Sequence, residues 1–324
     1  MSKYFLPPHR MYGRSVPPGF HVQNNEEDSI MIAFLLQILK TYIAVLIAAS
    51  LFTYAVFWYE NAAPDRSLRI SGKYLPFVVL RGILSSIATL FLASALYPYG
   101  LLRPSWKPKT LSPDQPVIIL VHGLYHNSSA WLPFLCRLKS AGFHNVYAFS
   151  YGSFFTSFEA SFRKLERFLA SVRRDITNQP IILIGHSLGG LLSRVYAERA
   201  QTVDIPELII TLGTPHQGSK MAAFGVGKLA GSLAFRGPLF TEIEKGPSHL
   251  PCPGVAFFSP ADNLVLPSEA LRAPYPGWLY EETAPLSHIA MIFSNGVTRR
   301  VIEVIREQSR YPMKKSRQKN RSCR

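Results

Sequence analysis

The segment at residues 180–196, PIILIGHSLGGLLSRVY, constrains the fold of this chain more than any other segment. It starts with an uninterrupted apolar run at 181–184, which is typical of a parallel strand buried on both faces. Ser187 then stands between Gly185 and Gly189, and a helix-like pattern follows at once. Glycines at these two positions permit a tight strand-to-helix turn. The segment therefore predicts a serine hydroxyl lifted out of the sheet, beside the free amides of a helix N-terminus.

Strand-like and helix-like segments alternate on both sides of this turn. Further apolar runs have the length and composition of buried strands, at 117–121, 146–150, 207–213 and 254–259. Amphipathic helical patterns separate several of them, at 128–141, 157–174 and 188–200. Continuous apolar strands alternating with helices predict a doubly wound, mostly parallel α/β sheet covered by helices on both faces.

The carboxyl edge of such a sheet is where ligands and catalytic groups collect, and Ser187 is predicted to lie there. A serine hydroxyl near neutral pH needs a base, and the base needs an orienting carboxylate. In one common arrangement these groups follow along the chain in the order serine, acid, histidine. Asp262 lies just after the predicted strand at 254–259, and His288 is the only histidine after it. We therefore predict that Ser187, Asp262 and His288 form a catalytic triad.

Other titratable residues remain as alternatives for the acid and the base. Asp204 precedes the predicted strand at 207–213, at its entering end, where a solvated or helix-capping role is expected. His216 and His249 both come before Asp262, and local hydrogen bonding in loops is the other interpretation for each of them. The remaining acidic candidates do not directly follow a predicted strand: Glu269, Glu281 and Glu282.

A tetrahedral acyl-transfer intermediate also needs amide donors for its oxyanion. One donor is expected from the residue after the serine, which is Leu188. Gly123 follows the apolar run at 117–121 almost directly, so the amide of Leu124 is the second expected donor. The neighbouring histidines are interpreted as orienting side chains, with a purely structural role as the alternative: His122, His126 and His186.

Five motifs in order resemble bacterial triacylglycerol lipases and their membrane-anchored α/β-hydrolase relatives: VHGL, GHSLGG, TLGTPHQGS, SPADNLVLP and LSHIAMIF. The resemblance covers roughly residues 115–307. It implies an α/β-hydrolase fold in which Ser187, Asp262 and His288 are catalytic and Leu124 donates to the oxyanion. It also implies that residues 211–219 border the pocket without being catalytic. The secreted lipases lack an N-terminal region like the one described next.

Two uncharged apolar runs precede the predicted sheet, one of 19 residues at 41–59 and one of 21 residues at 82–102. At helical rise, each spans about 30 Å, roughly the hydrocarbon thickness of a bilayer. We predict a two-helix transmembrane hairpin. Two buried core helices of a soluble protein are the alternative. A cleaved signal peptide is disfavoured, because the apolar region is too long and starts some 30 residues into the chain.

The predicted organisation has five parts: a disordered leader at 1–29, the hairpin at 30–103, a linker at 104–116, the α/β-hydrolase domain at 117–308 and a basic tail at 309–324. Within the domain, an insertion at 219–250 is rich in Ala, Gly, Phe and Leu. That composition predicts a lid or an acyl-chain pocket, with a plain helix covering the sheet as the alternative.

Charge is concentrated at the C-terminus. The formal net charge is +15, and residues 310–324 hold seven Lys or Arg and no acid, so the rest of the chain carries 15 − 7 = +8. A basic tail gains most against an anionic membrane leaflet, so we expect the catalytic domain on the cytoplasmic face. A solvated, disordered tail is the alternative. Nucleic-acid binding is not expected, because no platform of aromatic and basic side chains accompanies the charge.

Cysteine usage indicates neither a disulfide framework nor a metal site, because the three cysteines are widely spaced: Cys136, Cys252 and Cys323. No cofactor is expected. The sequence thus predicts a membrane-anchored serine hydrolase that cleaves carboxylic esters of lipids through an acyl-enzyme. A thioesterase or an acyltransferase with the same triad is one alternative, and a non-enzymatic membrane scaffold is another. The sequence does not indicate an oligomeric state.

Overall fold

The computed structural model of the protein describes residues 23–62, 74–102, 105–176, 178–200, 202, 204–247 and 249–308, without the side chains at 23–26 and 62. The predicted leader up to residue 22, the connection at 63–73 and the basic tail at 309–324 lie outside the described residues. The chain divides into two units, one ending at Val45 and the other beginning at Leu46.

Two long apolar helices come first, α1 at Gln23–Ala62 and α2 at Leu75–Leu102. Helix α1 begins seven residues before the predicted boundary at residue 30. By length and composition, both helices are able to cross a membrane. In the first unit, most large apolar side chains of α1 between residues 30 and 45 are exposed.

Helix α2 packs within the second unit with small or polar residues buried and large apolar residues exposed, whereas a surface helix of a soluble protein buries its apolar residues. From Gly82 onward its buried residues are small or polar: Gly82, Ser86, Thr89, Ala93 and Gly100. Its large apolar side chains are exposed instead, among them Phe77, Leu80, Leu84 and Phe91. Small residues allow close packing against protein, and exposed large apolar residues match a lipid environment.

A single sheet of six parallel strands forms the centre of the second unit, in the order β2-β1-β3-β4-β5-β6. The strands are β1 Val117–Val121, β2 Val146–Phe149, β3 Ile181–His186, β4 Leu208–Leu212, β5 Gly254–Phe258 and β6 Leu279–Glu282. The register pairs His186 with Leu212 and Leu212 with Phe257, so β3, β4 and β5 end side by side. The predicted doubly wound parallel sheet is confirmed. Strand β6 was not predicted, because its burial is low and it has no continuous apolar run.

Helices cover both faces of the sheet. They are α3 Leu132–Ser140, α4 Phe158–Asp175, α5 Leu188–Arg199, α6 Lys228–Ser232, α7 Pro238–Ile243, α8 Ala290–Phe293 and α9 Asn295–Gln308. Alternate residues of β1 face opposite layers: Ile118 packs with α3, α8 and α9, whereas Ile119 packs with α4 to α7. Both side chains are fully buried, and each such burial stabilises the fold by about 1.5–3 kcal/mol.

Helix α4 illustrates how the sequence sets these layers. Ser157 caps its N-terminus by accepting a hydrogen bond from the amide of Ala160 at 3.2 Å. Apolar side chains at helical spacing then face the sheet, including Phe158, Phe162 and Leu165. The opposite face of the helix carries charges, as in the exposed pair of Glu159 and Arg163.

The predicted insertion at 219–250 folds as a 3-10 helix, Lys220–Phe224, followed by α6 and α7. A salt bridge joins Lys220 to Glu60 of α1 at 2.9 Å. A cavity of about 600 Å³ lies in this segment, lined mainly by small residues and by Phe235.

At the outer edge of the sheet, Trp106 pairs with Ala148 of β2 through two backbone hydrogen bonds of 3.0 and 3.1 Å.

Candidate active site

The serine turn, residues 185–190, connects β3 to α5. Ser187 has φ +53° and ψ −124°, a conformation that residues with a side chain rarely adopt. Gly185 lies against Gly190, and Gly189 lies against the carbonyl oxygens of Val121 and His122, so neither position has room for a Cβ. The two glycines predicted from the sequence are therefore required by close packing, and together they hold Ser187 in a strained turn.

Ser187 lies at the carboxyl edge of the sheet, as predicted. Its amide donates to the carbonyl of Leu212, the last residue of β4, at 2.9 Å. The Ser187 side chain is half-buried, and its hydroxyl has no hydrogen-bond partner among the described residues. The predicted contact between this hydroxyl and a histidine is thus not formed. Such contacts are often long without substrate and tighten when it binds.

The predicted acid and base form a buried pair. We call residues 259–266, after β5, the acid loop, and residues 283–289, between β6 and α8, the base loop. His288 Nδ1 lies 2.8 Å from Asp262 Oδ2, and both side chains are almost fully buried. The other carboxylate oxygen, Oδ1, accepts from the amides of Leu264 and Val265 at 3.0 and 2.9 Å. The carboxylate is therefore fixed on one side, and its free oxygen accepts the Nδ1 proton of the imidazole.

Gly213 connects the serine turn to this pair. It directly follows Leu212, the carbonyl partner of the Ser187 amide. A Cβ at Gly213 would lie 3.0 Å from Asp262 Oδ2 and 3.1 Å from His288 Nδ1. The structure thus places Ser187, Asp262 and His288 around one short stretch at the ends of β3, β4 and β5, although 101 positions separate Ser187 from His288 in the chain.

Several side chains that hold the two loops were not predicted. Asn263 accepts from the amide of His288 through its Oδ1 at 3.1 Å. The hydroxyl of Ser259 donates to the carbonyl of Leu286 at 2.6 Å and accepts from the Leu286 amide at 2.9 Å. Asn263 directly follows Asp262, so its position in a strand-end loop was the one signal that could have identified it.

The predicted oxyanion donors belong to residues next to Ser187 or next to a residue that contacts it. Gly123 lies so close that a Cβ there would be 2.9 Å from the Cβ of Ser187. The amides of Leu124 and Leu188 donate to no acceptor among the described residues. Tyr125, next to Leu124, has φ +59° and donates its amide proton to Ser153 Oγ at 2.8 Å. Both amides therefore remain available as hydrogen-bond donors.

The histidines near the serine turn have lowered pKa values, and His122 is buried whereas His126 is half-buried. Burial lowers the pKa of His122 to about 3. Its Nδ1 donates to the carbonyl of Gly123 at 2.8 Å, and its Nε2 accepts from the Tyr151 amide at 3.1 Å. Burial, with a smaller contribution from His288, lowers the pKa of His126 to about 4. His122 therefore joins the backbone of Gly123 to that of Tyr151.

His186 ties the serine turn to the base loop. Its Nε2 donates to the carbonyl of His288 at 3.1 Å, and the two rings lie 4.7 Å apart. Burial, followed by electrostatic repulsion from His288, lowers the pKa of His186 well below the usual histidine range. The neutral His186 ring thus holds the backbone of His288, the predicted base, through this hydrogen bond.

The alternative acids and bases have other environments. His216 is buried beside Trp278, with its Nε2 3.3 Å from the hydroxyl of Thr211, and burial lowers its pKa strongly. Exposed Glu269 pairs with Arg236 at 3.4 Å. Glu281 and Glu282 are part of β6 itself, and Glu281 binds Arg300 at 2.7 Å. Asp204 comes before β4, at the entering end of the sheet, away from the edge that carries Ser187.

Among the residues that the structure describes, no group of three His, Cys, Asp or Glu side chains is arranged to hold a metal ion. The protein groups at the carboxyl edge of the sheet include a hydroxyl on a strained turn, a buried carboxylate–imidazole pair and two amides without an acceptor among the described residues.

The chain is similar to known proteins in sequence and in fold. Residues 118–304 match the alpha/beta hydrolase family. The structure of a Bacillus licheniformis lipase in its mature form is similar with a TM-score of 0.52 at 19% identity, covering 62% of this chain and 96% of that one. A membrane phospholipase A described as a bacterial virulence factor is similar with a TM-score of 0.47 at 15% identity, covering 74% and 98%.

A shorter match links the chain to a GPI inositol-deacylase of Candida albicans. The two sequences are 54% identical over 39 residues, which is 12% of this chain and 10% of that protein. The chain thus matches about a tenth of the length of that curated relative.

Proposed function

The chain belongs to the alpha/beta hydrolase family, and from this premise we propose that it is a membrane-anchored serine hydrolase of carboxylic esters of lipids. Its sheet is the mostly parallel sheet of that fold. The observation that carries the proposal is the buried Asp262–His288 pair at 2.8 Å, set at the sheet edge beside the strained Ser187.

In the proposed reaction, Ser187 Oγ attacks the ester carbonyl while His288 Nε2 takes its proton. Asp262 accepts the Nδ1 proton of His288 and stabilises the imidazolium that forms. The amides of Leu124 and Leu188 bind the oxyanion. His288 then protonates the leaving alcohol, which gives an acyl-enzyme. Water, activated by the same histidine, attacks the acyl carbonyl and releases the acid.

An apolar rim beside Leu124 supports an acyl-chain substrate. It consists of exposed side chains after β2 and in the insertion: Phe154, Phe155, Phe224 and Val226. Tyr125 joins its two parts, because its ring lies 4.8 Å from Phe154 and its hydroxyl bonds with the backbone of Val226. The cavity in the insertion begins at Gly225, next to this hydroxyl. We assign the insertion to acyl-chain binding.

The apolar helices support attachment to a membrane. Phe52 of α1 lies 5.0 Å from Phe224, so the rim continues into the exposed apolar surface of the helices. We propose that α1 and α2 cross the bilayer as a hairpin and that the catalytic domain lies on the cytoplasmic face, where the basic tail meets anionic lipid. Reporters fused to the C-terminus test the orientation, and a periplasmic or lumenal signal contradicts it.

The test of the function uses the full chain in lipid nanodiscs. We expect a fluorophosphonate probe to label the wild-type protein, and p-nitrophenyl esters of long acyl chains to be hydrolysed faster than short ones. The variant Ser187→Ala loses both signals while its thermal unfolding midpoint is retained. A folded wild-type chain that neither labels nor cleaves any ester contradicts the proposal and favours a non-enzymatic scaffold. Faster turnover of acyl thioesters, or acyl transfer to an added alcohol, replaces the ester assignment by one of the alternatives.

A further inference from the structure

Polar side chains on the two apolar helices bind the loops that carry Asp262 and His288. On α1, the hydroxyl of Tyr54 donates to the carbonyl of Ala261 at 2.7 Å. The neighbouring Thr53 accepts from Asn263 Nδ2 through its Oγ1 at 2.8 Å. Helix α1 therefore binds the residue before Asp262 and the residue after it, and both sides of the acid are held.

The base loop is held in the same way by α2. Ser85 Oγ accepts from the amide of Ser287, the residue before His288, at 2.9 Å. Asn263 also links the two loops, because its Oδ1 accepts from the His288 amide at 3.1 Å. A continuous path of hydrogen bonds thus runs from Thr53 through Asn263 to the backbone of His288.

The hydroxyl protons of Thr53 and Ser85 are already engaged. Thr53 donates to the carbonyl of Ser50 at 3.0 Å, and Ser85 donates to the carbonyl of Gly82 at 2.9 Å. Each hydroxyl therefore presents a lone pair to the loop that it binds. Both loop groups are N–H donors, so donor and acceptor are matched in each contact.

These contacts are not side effects of burying apolar surface. A polar group in an apolar helix is costly unless it is hydrogen-bonded, so apolar residues would serve better if the helices were anchors alone. Tyr54 is also tightly fitted, because it occupies the space that a Cβ at Gly82 would need. Three polar residues on two helices instead converge on the two loops that the proposed reaction uses.

We propose that Thr53, Tyr54 and Ser85 are positioning residues that set the Asp262–His288 pair for catalysis, so that the apolar helices complete the active site. The proposal rests on the proposed function. It is specific to catalysis, because displacement of a catalytic group by about 1 Å lowers the rate by as much as about 100-fold without changing substrate binding.

The experiment compares two substitutions of Thr53 in the full chain in nanodiscs. Thr53→Val keeps the shape of the side chain and loses the acceptor, whereas Thr53→Ser keeps the acceptor and loses the methyl group. We expect Thr53→Val to lower kcat for ester hydrolysis, and the rate of fluorophosphonate labelling, by about tenfold with KM unchanged. Thr53→Ser retains wild-type values. A packing role for Thr53 predicts the reverse order.

Matched controls exist for the other two residues. Tyr54→Phe is compared with Tyr59→Phe, which removes an exposed hydroxyl from the same helix. Ser85→Ala is compared with Ser171→Ala, because Ser171 likewise donates to a carbonyl three residues before it, that of Phe168 at 2.7 Å. We expect kcat to fall several-fold in Tyr54→Phe and Ser85→Ala and to stay unchanged in the two controls.

Four results decide the matter. Loss of kcat in Thr53→Val with recovery in Thr53→Ser, at unchanged unfolding midpoints, supports the proposal. Wild-type rates in Thr53→Val, Tyr54→Phe and Ser85→Ala, with Ser187→Ala inactive, overturn it and leave the proposed function intact. Equal losses in both Thr53 variants, with lowered unfolding midpoints, also overturn it. An unlabelled, inactive wild-type chain overturns the proposed function and this inference together.

Discussion

The serine turn and the acid and base loops reach the same edge of the sheet by different means. The turn is shaped by close backbone packing, of Gly185 on Gly190 within the turn and of Gly189 on the end of β1. The two loops are shaped by distant parts of the chain. Asn263 bonds with a residue 210 positions away, and Ser287 with one 202 positions away. The turn thus depends on the steric fit of its backbone, whereas the loops depend on hydrogen bonds to distant side chains.

This difference separates two kinds of sensitivity. A substitution in the serine turn pushes backbone against backbone, so it damages the fold and the site together. A substitution around the loops removes one polar contact from a folded framework, so it changes the rate more than the stability. Four predictions test this contrast, from the largest expected effect to the smallest.

The largest effect is expected from Asp262→Asn. The amide side chain is isosteric with the carboxylate, but it neither holds His288 in the correct tautomer nor stabilises its charged form. We expect kcat to fall by about 10³- to 10⁴-fold with little change in the unfolding midpoint. Steady-state ester hydrolysis measures this loss. Asp114→Asn, an exposed change in the linker, keeps full activity, and an equal loss there contradicts the assignment.

Gly189→Ala tests the steric fit of the serine turn. Its Cβ has no room against the carbonyls of Val121 and His122, so we expect the free energy of unfolding to fall by about 1–3 kcal/mol and labelling to be lost. Chemical denaturation and probe labelling measure the two effects. The control is Gly152→Ala, an exposed position after β2 where no atom lies within 4 Å of the added methyl group, and it leaves both quantities unchanged. A stable, active Gly189→Ala protein is the contrary outcome.

Acid acts on the histidines beside the turn. The pKa of His122 is about 3 in the folded chain and about 6.5 in the unfolded chain, so between these values only the unfolded state takes up the proton. Stability is therefore present above about pH 6.5 and is lost as the pH falls. From about pH 7.5 to about pH 5.5, this histidine alone lowers the free energy of unfolding by about 1.4 kcal/mol.

Denaturation of the wild-type chain and of His122→Asn at the two pH values measures this contribution. The variant has the shallower pH dependence, because it lacks the titrating ring. Parallel dependences in the two proteins contradict the assignment of a buried, neutral His122.

The smallest effect is expected from Tyr125→Phe. It removes both hydrogen bonds to Val226, which are 2.5 and 2.6 Å long, and so loosens the insertion beside Leu124. We expect KM for a long-chain ester to rise by about threefold, which corresponds to less than 1 kcal/mol, and KM for a short-chain ester to stay the same. An equal rise for both esters removes the insertion from acyl-chain binding.

The strands of the sheet and the serine turn could mostly be predicted from the sequence. Apolar runs located β1, β3 and β4 to within two residues, because buried parallel strands are continuously apolar. The glycine spacing located the serine turn, and chain order led to Asp262 and His288, since only two Asp and three His follow Ser187. Strand β6 was missed because its side chains are mostly exposed.

The contacts between the apolar helices and the acid and base loops could not be predicted from the sequence. Thr53, Tyr54 and Ser85 lie in or beside long apolar runs, where a polar residue gives no sign of its partner. Their partners lie about 200 positions away, and neither periodicity nor spacing connects segments at that distance. The burial of small and polar residues on α2, with its large apolar residues exposed, could not be predicted for the same reason. Small and polar residues along a helix indicate a partner only when the position of that partner is known.

The two outer strands of the sheet are protected from other chains by different devices. Along β2, Trp106 satisfies both backbone groups of Ala148 that an incoming strand would need. Along β6, Glu281 and Glu282 place charge at the border, and Arg300 holds one of them. Blocked and charged borders are what natural sheets use against edge-to-edge aggregation. Several copies of the domain can therefore lie close together without the sheet of one copy pairing with the edge strand of another.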